Sequence, residues 1–400
     1  MPWKDTSTMD LRRCFIRDHQ RRSLSIADLC FRYGISRQTG YKWIRRFEAE
    51  GMEGLRDRSR RPHGCSHQVP EPVVEELVRD RKRHPTWGAR KLLVRIARRH
   101  PDWHLPAPST AHEVLKRHGL IPRRRKRPKR PHPGRPLTPM DEPNAVWTAD
   151  FKGQFKTLDG RYCYPLTVQD GFSRFLLACD GLPRATLRGT RPVFKRLFLE
   201  YGLPRRIRTD NGPPFAANSL GRLSQLAVWW IRLGIIPELI EPGKPQQNGR
   251  HERMHRTLKR ETTRPPQPNL RTQKLHFDGF RAEFNHERPH EAIGQRCPAE
   301  LYVPSSMNYP RRLPRIDYPA HFEVRKVSSN GGIRWANRWV NVSKVLEGQY
   351  IGLEEVDDGL WHIFFAHVLL GYLHDGLRTV EDRSGFISRH RKNLSAMSPD

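Results

Sequence analysis

The sequence of 400 residues predicts an α/β protein: a mixed-sheet core, preceded by two small helical modules and followed by a small β-barrel. Three observations predict it. Before residue 121, polar caps and glycine stops frame apolar residues at three- and four-residue spacing, as in short amphipathic helices. From Val146 to Glu252 short strands alternate with helices, and beyond Pro319 strand follows strand across turn residues. The boundaries drawn from these shifts are 1–60 and 70–121 for the helical modules, 122–140 for a basic Pro-rich linker, 141–305 for the core and 320–380 for the last domain.

Charge points to the partner. Lys and Arg number 73 against 42 Asp and Glu, a net +31, and a field of that size attracts a polyanion, with double-stranded DNA the expected one. Residues 1–140 hold 34 of the cations and only 14 of the acids. No run approaches eighteen apolar residues and the opening MPWKDTSTMD has no apolar stretch, so no membrane partner is expected and the location is read as cytoplasmic and nucleoid-associated. Six widely spaced cysteines without a C-x-x-C pair suggest neither a zinc site nor a disulfide framework.

In the first module Ser25 caps a helix that Gly34 closes, and Ser36 caps the next, which runs to about Glu50. Tyr41, Ile44 and Phe47, or Phe47 with Trp43, fit its inner face. Arg37, Gln38, Lys42, Arg45 and Arg46 are left outside, where a recognition helix meets base edges and phosphates in the major groove. The second module reads as three helices: one from Val73, one over Arg90–Arg99, and one capped by Thr110 and ended by Gly119. Trp87 marks a packed corner, and Arg90 is counted among the DNA contacts. Between residues 122 and 136 five prolines and eight basic residues exclude a helix.

The core opens with a strand through Trp147–Asp150, followed by strands at Tyr162–Gln169 and Arg174–Asp180. A helix over Leu187–Tyr201, a strand from Arg205 to Thr209, an apolar helix over Leu220–Leu233 and a strand at Ile236–Ile240 come next. A helix from about Arg250 then carries Glu252 in its first turn. Asp150, Asp210 and Glu252 thus come from two strands and a helix. Three such carboxylates suit two divalent cations, which take hard oxygen ligands and act on both the attacking and leaving oxygens of a phosphodiester. Taken singly, Asp150 is also explicable as a strand-edge charge, Asp210 as the start of an Asx turn and Glu252 as an acid favoured by the helix dipole. Arg256 and Lys259 share the Glu252 face, placed either to clamp phosphate or to support Glu252, and His255 is a poor ligand for a hard-oxygen site. The last domain is read as five strands, from Phe322–Val327 to Leu360–Leu373, with Arg325, Lys326, Arg334 and Arg338 available to DNA.

Three segments resemble the acidic motifs of the retroviral-integrase superfamily, and specifically the DDE transposases of bacterial insertion sequences. They are Trp147-Thr-Ala-Asp-Phe-Lys-Gly153, Thr209-Asp-Asn-Gly212 with Pro214-Phe215, and Pro245-Gln-Gln-Asn-Gly-Arg-His-Glu-Arg253. Asn285-His-Glu-Arg-Pro-His290 resembles the segment that follows the core in that family. The resemblance implies a ribonuclease-H-like core, with Asp150, Asp210 and Glu252 as both catalytic residues and ligands of two magnesium ions, manganese being able to substitute. It implies a transposase that binds transposon ends, nicks them and joins their 3′ ends to target DNA, acting as a DNA-dependent homo-oligomer. Asn248, in the third motif, joins the DNA contacts. One departure is the 41 residues between Asp210 and Glu252, with extra length around Leu226–Gly234. A catalytically inactive transposase serving as a sequence-specific DNA-binding protein is the alternative.

Overall fold

The computed structural model describes residues 7–59, 68–121 and 137–383. The expected linker falls largely on residues 122–136 and the polar tail on 384–400, outside the described residues. The chain divides into two compact units, Met1–Gln68 and Val69–Asp400.

The first unit is three helices, α1 (Thr8–Gln20), α2 (Ile26–Arg32) and α3 (Arg37–Glu50), closed by a 3-10 turn. Ser25 and Ser36 cap α2 and α3 as expected, each accepting from a backbone N–H three residues on. Phe15, Ile16, Leu29, Cys30, Trp43, Ile44 and Leu55 form its core. Gly40 sits inside α3 because a Cβ there would lie 2.5 Å from the Cys30 sulfur. Tyr41, expected inside, is 45% exposed; Trp43 and Ile44 take the inner face instead, and Phe47 is only partly covered.

The second unit begins with α4 (Glu71–Arg83), α5 (Ala89–Arg99) and α6 (Pro108–Arg117), packed around Leu77, Trp87, Leu92, Ile96 and Leu115. Thr110 does not cap α6 as expected. The helix starts with Pro108 in its first turn, where a missing N–H costs nothing.

The core sheet combines β1 (Val146–Phe151), β2 (Phe155–Lys156), β3 (Tyr162–Asp170), β4 (Leu176–Leu182), α7 (Leu187–Tyr201), β5 (Arg206–Thr209), α8 (Gln225–Arg232) and β6 (Ile236–Leu239) with α9 (Gly249–Thr262) and α10 (Leu270–Ala282). β3 pairs antiparallel with β4 and β1, and β1, β5 and β6 run parallel, while β2 pairs with the start of β3. This β4-β3-β1-β5-β6 order, three antiparallel strands followed by two parallel additions, is the ribonuclease-H-like mixed sheet. Alternation along β1 divides the layers: Trp147 and Ala149 join the core with α7 and α8, while Thr148 and Asp150 face α9. The apolar stretch 220–233 is two pieces, because Gly221 adopts φ +63° and Ser224 caps α8 anew. α10, which the apolar pattern does not advertise, is started by a capping box of Asn269 and Thr272.

The last domain has seven strands rather than five: β7 (Glu323–Lys326), β8 (Gly332–Trp335), β9 (Arg338–Asn341), β10 (Tyr350–Asp357), β11 (Leu360–Phe365), β12 (Val368–His374) and β13 (Thr379–Asp382). They form the sheet β13-β12-β11-β10-β7 and the hairpin β8-β9 over one apolar core. The extra turns are concealed because Ala336 and Ala366 take positive φ where glycine would have advertised it.

Candidate active site

Strand register brings the first two acids together. Ala149 is paired with Thr209 in the parallel β1–β5 ladder, so Asp150 and Asp210 follow as the next residues of neighbouring strands. Such strands lie about 4.8 Å apart. The loop after Asp210 is anchored by Asn211, whose Nδ2 donates to the Ile240 carbonyl at 2.8 Å, and by Phe215, buried against Phe151 and Trp230. The Gly212 N–H reaches Asp210 Oδ1 at 3.4 Å, a loose version of the Asx turn. Gly212 allows this closeness, since a Cβ would stand 3.3 Å from Asp210 Oδ2.

Two buried histidines seat the third acid. His251 Nδ1 lies 2.9 Å from Thr148 Oγ1, and Thr167 Oγ1 is 2.6 Å from both His251 Nε2 and His255 Nε2. This clamps α9 across β1 and β3, with Glu252 one residue beyond His251 and exposed to solvent. Burial lowers His251 to about 3 and His255 to about 2, so both rings are neutral. The 3.5 Å approach of His255 Nδ1 to Asp150 Oδ2 is therefore a polar contact rather than an ion pair.

Asp150 is pushed up to about 7, first by burial, then by the charge of Asp210, and to a lesser degree by Glu252. Burial also raises Asp210. Among the described residues no three acids, imidazoles or thiols are drawn tightly enough together to share one ion. The same three carboxylates have no Lys or Arg ion-pair partner among the described residues. Adjacent oxygen donors lacking a cation are chemically suited to a hard divalent ion.

The expected DNA contacts fall in separate places. Arg37, Gln38, Lys42 and Arg45 are exposed on α3, and Arg46 is half-buried with its guanidinium 5.1 Å from the Trp43 ring centre. Arg256 and Lys259 are exposed on α9, whereas Asn248 is buried at its start. Arg90 bonds Glu291 at 2.8 Å. It belongs to a seam of polar contacts between the second helical module and the core: His84 with Glu283, Thr86 with Glu261 and Arg288, Arg95 with Glu287, and Arg98 with Glu300.

Three functional details are not evident from motif and periodicity. Asp170, which the sequence places in a turn, is fully buried and accepts from the N–H groups of Asn144 and Ser173 and from the Ser173 hydroxyl. Asn285 pairs with both backbone groups of Leu176 at 2.8 and 3.0 Å, replacing a neighbouring strand. Arg174, Arg250 and Arg253 gather beside α9. An Asp-x-x-Ser spacing and an Asn opening a His-Glu-Arg run are the available signals for the first two.

Comparison with known proteins agrees with an integrase-type core behind helical DNA-binding modules. Integrase core domain models match residues 140–245 and 233–298, a helix-turn-helix domain model matches 11–63 and a homeodomain-like domain model matches 39–115. The insertion element IS476 uncharacterized 39.2 kDa protein of Xanthomonas euvesicatoria is 29% identical over 249 residues, 58% of this chain and 66% of the relative. The insertion element IS407 uncharacterized 31.7 kDa protein of Burkholderia multivorans is 28% identical over 162 residues, 40% of this chain and 55% of the relative. The Gag-Pol polyprotein of Koala retrovirus is 31% identical over 127 residues, 31% of this chain and 7% of the polyprotein. The chain thus spans somewhat less than two thirds of the insertion-element relatives' length. The HTLV-2 integrase catalytic core domain in complex with magnesium is 17% identical, covers 40% of this chain and 98% of its own, and superposes at a TM-score of only 0.33. The fold assignment rests instead on the strand order.

Residues 140–298 thus match an integrase core domain. Ahead of it lie matches to a helix-turn-helix and a homeodomain-like domain, and the chain is similar to proteins of bacterial insertion elements.

Proposed function

We propose that this protein is a DNA transposase that nicks transposon ends and joins their 3′ hydroxyls to target DNA, with Asp150, Asp210 and Glu252 as the catalytic acids. The observation that supports the reading is the parallel register that sets Asp150 beside Asp210, with the charges of Asp210 and Glu252 both felt at Asp150. These residues would hold two divalent ions, magnesium or manganese, which when bound activate the attacking oxygen and stabilise the leaving one. The chain's own part is positional: the parallel register fixes Asp150 beside Asp210, and the neutral His251–Thr148–Thr167 clamp holds the Glu252 helix against them. Keeping both histidines uncharged leaves the acids as the dominant local charge. Helix α3 is the reader of the DNA ends, through Arg37 and Gln38 at base edges and Lys42, Arg45 and Arg46 at phosphates. Arg256 and Lys259 serve phosphates near the acids.

Asp150→Asn, Asp210→Asn and Glu252→Gln are each expected to abolish strand joining in a metal-dependent assay while end binding, measured by anisotropy, stays near the parent value. Joining by Asp210→Asn at near the parent rate would refute the assignment.

A further inference from the structure

On the stripe of α9 that carries Arg250, Arg253 and Thr257, away from Glu252, a half-open cleft of about 900 Å³ runs between the core, α5 and the turn around His290. None of the three catalytic acids lines it. Its wall is basic: Lys91, Arg174, Arg208, Arg250, Arg253 and Arg288 face a single carboxylate, Glu291. Two of these cations are neutralised elsewhere, Arg208 by Glu238 and Arg288 by Glu261. Arg174, Arg250 and Arg253 have no carboxylate partner among the described residues; the nearest bonds of Arg250 are to the Gly171 carbonyl and the Met140 sulfur. Their mutual repulsion shows in Arg174, which is lowered to about 10 by burial and then by Arg250 and Arg253, against the opposing charge of Asp170. Like charges collected in a cleft favour an anion between them.

The cleft asks for more than a free anion. Asn248 Oδ1 is buried and unpartnered at its edge, an acceptor that phosphate oxygens cannot satisfy but an amino group on a base can. Arg174 Nε is likewise buried without a partner. Met140, Met254 and Phe284 supply an apolar floor. Grooves that bind unpaired nucleic acid combine cations tracking the backbone with apolar or aromatic platforms for the bases. The volume lies within the roughly 300–1,000 Å³ range of small-ligand sites, which admits a few linked nucleotides and not a duplex.

We infer that this cleft seats a short single-stranded segment of nucleic acid, its phosphates on Arg174, Arg250 and Arg253 and a base edge at Asn248. The inference rests on the proposed function only for the polyanion being DNA, since a strand-nicking enzyme is the kind that meets unpaired ends.

The test uses the full chain carrying Asp150→Asn, so that binding is read without turnover. The probes are a blunt duplex and the same duplex bearing a single-stranded extension, with inorganic tripolyphosphate as competitor. The extended duplex is expected to bind more tightly than the blunt one. The Arg250→Gln/Arg253→Gln double variant is expected to remove that advantage, lowering the salt slope for the extended probe by about 0.7 for each phosphate no longer neutralised. Blunt-duplex affinity should stay unchanged, and thermal unfolding checks that the variant is folded. Arg253→Glu alone, at an exposed position, should give the same loss if the double variant is unstable. An extension advantage that survives in these variants overturns the inference, as does tripolyphosphate displacing the extension at equal phosphate concentration. Failure of strand joining in the parent protein would count against the proposed function and leave this binding result standing.

Discussion

Lys91, on α5, projects into a basic surrounding and is lowered to about 8, chiefly by burial and then by Arg288, with Glu261, Glu291 and Cys297 opposing the shift. Its neighbour His290 is held neutral, lowered to about 3 by burial and then by Lys91 and Arg288. Below pH 8 the folded protein carries a cation that the unfolded chain solvates better, so the lysine works against stability there. Between the folded value near 8 and the ordinary value of 10.5 the unfolded chain binds more protons, and stability contributed by this residue rises with pH across that window. Lys91→Met is therefore expected to raise the melting temperature at pH 7, with the gain over the parent shrinking towards pH 10. An equal gain at both pH values would show that the change acts through packing. Asn285 gives a second case, since truncation leaves the N–H and C=O of Leu176 both unpaired inside the protein. Asn285→Ala is expected to cost about 1–3 kcal/mol of unfolding free energy, measured by denaturant titration. Neither role is legible in the sequence. Asn285 stands out in the Asn-His-Glu-Arg run, but its strand-mimicking bonds depend on β4 lying 109 residues away in sequence.

Element α8 explains the extra length between Asp210 and Glu252. Leu226, Trp229 and Trp230 pack into the catalytic sheet, while Ala227, Val228 and Ile231 join Leu353, Ile363 and Phe365 in the core of the last domain. A helix apolar all round is one covered on both sides, and here two separate cores share it. The apolar run itself is plain in the sequence. The Gly221 break is not, because glycine among apolar residues reads equally as helix interior, and only its φ of +63° in the fold reveals the turn. Ile231→Ala is expected to destabilise by about 2–5 kcal/mol, with the loss felt first in residues 323–382. Hydrogen exchange would show faster exchange in those strands than in β1, β3 and β5; uniform acceleration of both would mean that the two cores unfold as one. Caps and strand ends are the legible elements: Ser25, Ser36 and the placement of Asp150 and Asp210 at strand ends all follow from local sequence. The turn at Ala366 is illegible for the opposite reason, since alanine is not a usual residue for positive φ, and at Ala336-Asn337 only the asparagine hints at it.

At the scale of the molecule, charge and architecture divide the labour differently from what composition suggests, which is a single basic DNA-binding arm spanning both helical modules. Residues 1–68 hold 15 Lys or Arg against 8 Asp or Glu and have a complete core of their own. Residues 69–121 also engage the integrase-type core: Arg90, Arg95 and Arg98 pair with Glu291, Glu287 and Glu300, His84 Nδ1 lies 3.2 Å from Glu283, and Thr86 bonds Glu261. Cutting at residue 68 severs no core, whereas removing 69–121 takes from Glu287 and Glu291 their partners Arg95 and Arg90. A fragment of residues 1–68 is accordingly expected to unfold cooperatively and to bind duplex DNA on its own, more weakly and with a shallower salt slope than the whole chain, by about 0.9 per phosphate left unneutralised. A fragment of residues 69–400 should keep the melting temperature of its transition in the full chain, and one of residues 137–400 should melt lower. Differential scanning calorimetry on the three fragments decides the matter: equal melting temperatures for 69–400 and 137–400 would mean that the ion-pair seam contributes no stability and that the second module is free to act as an independent DNA-binding arm.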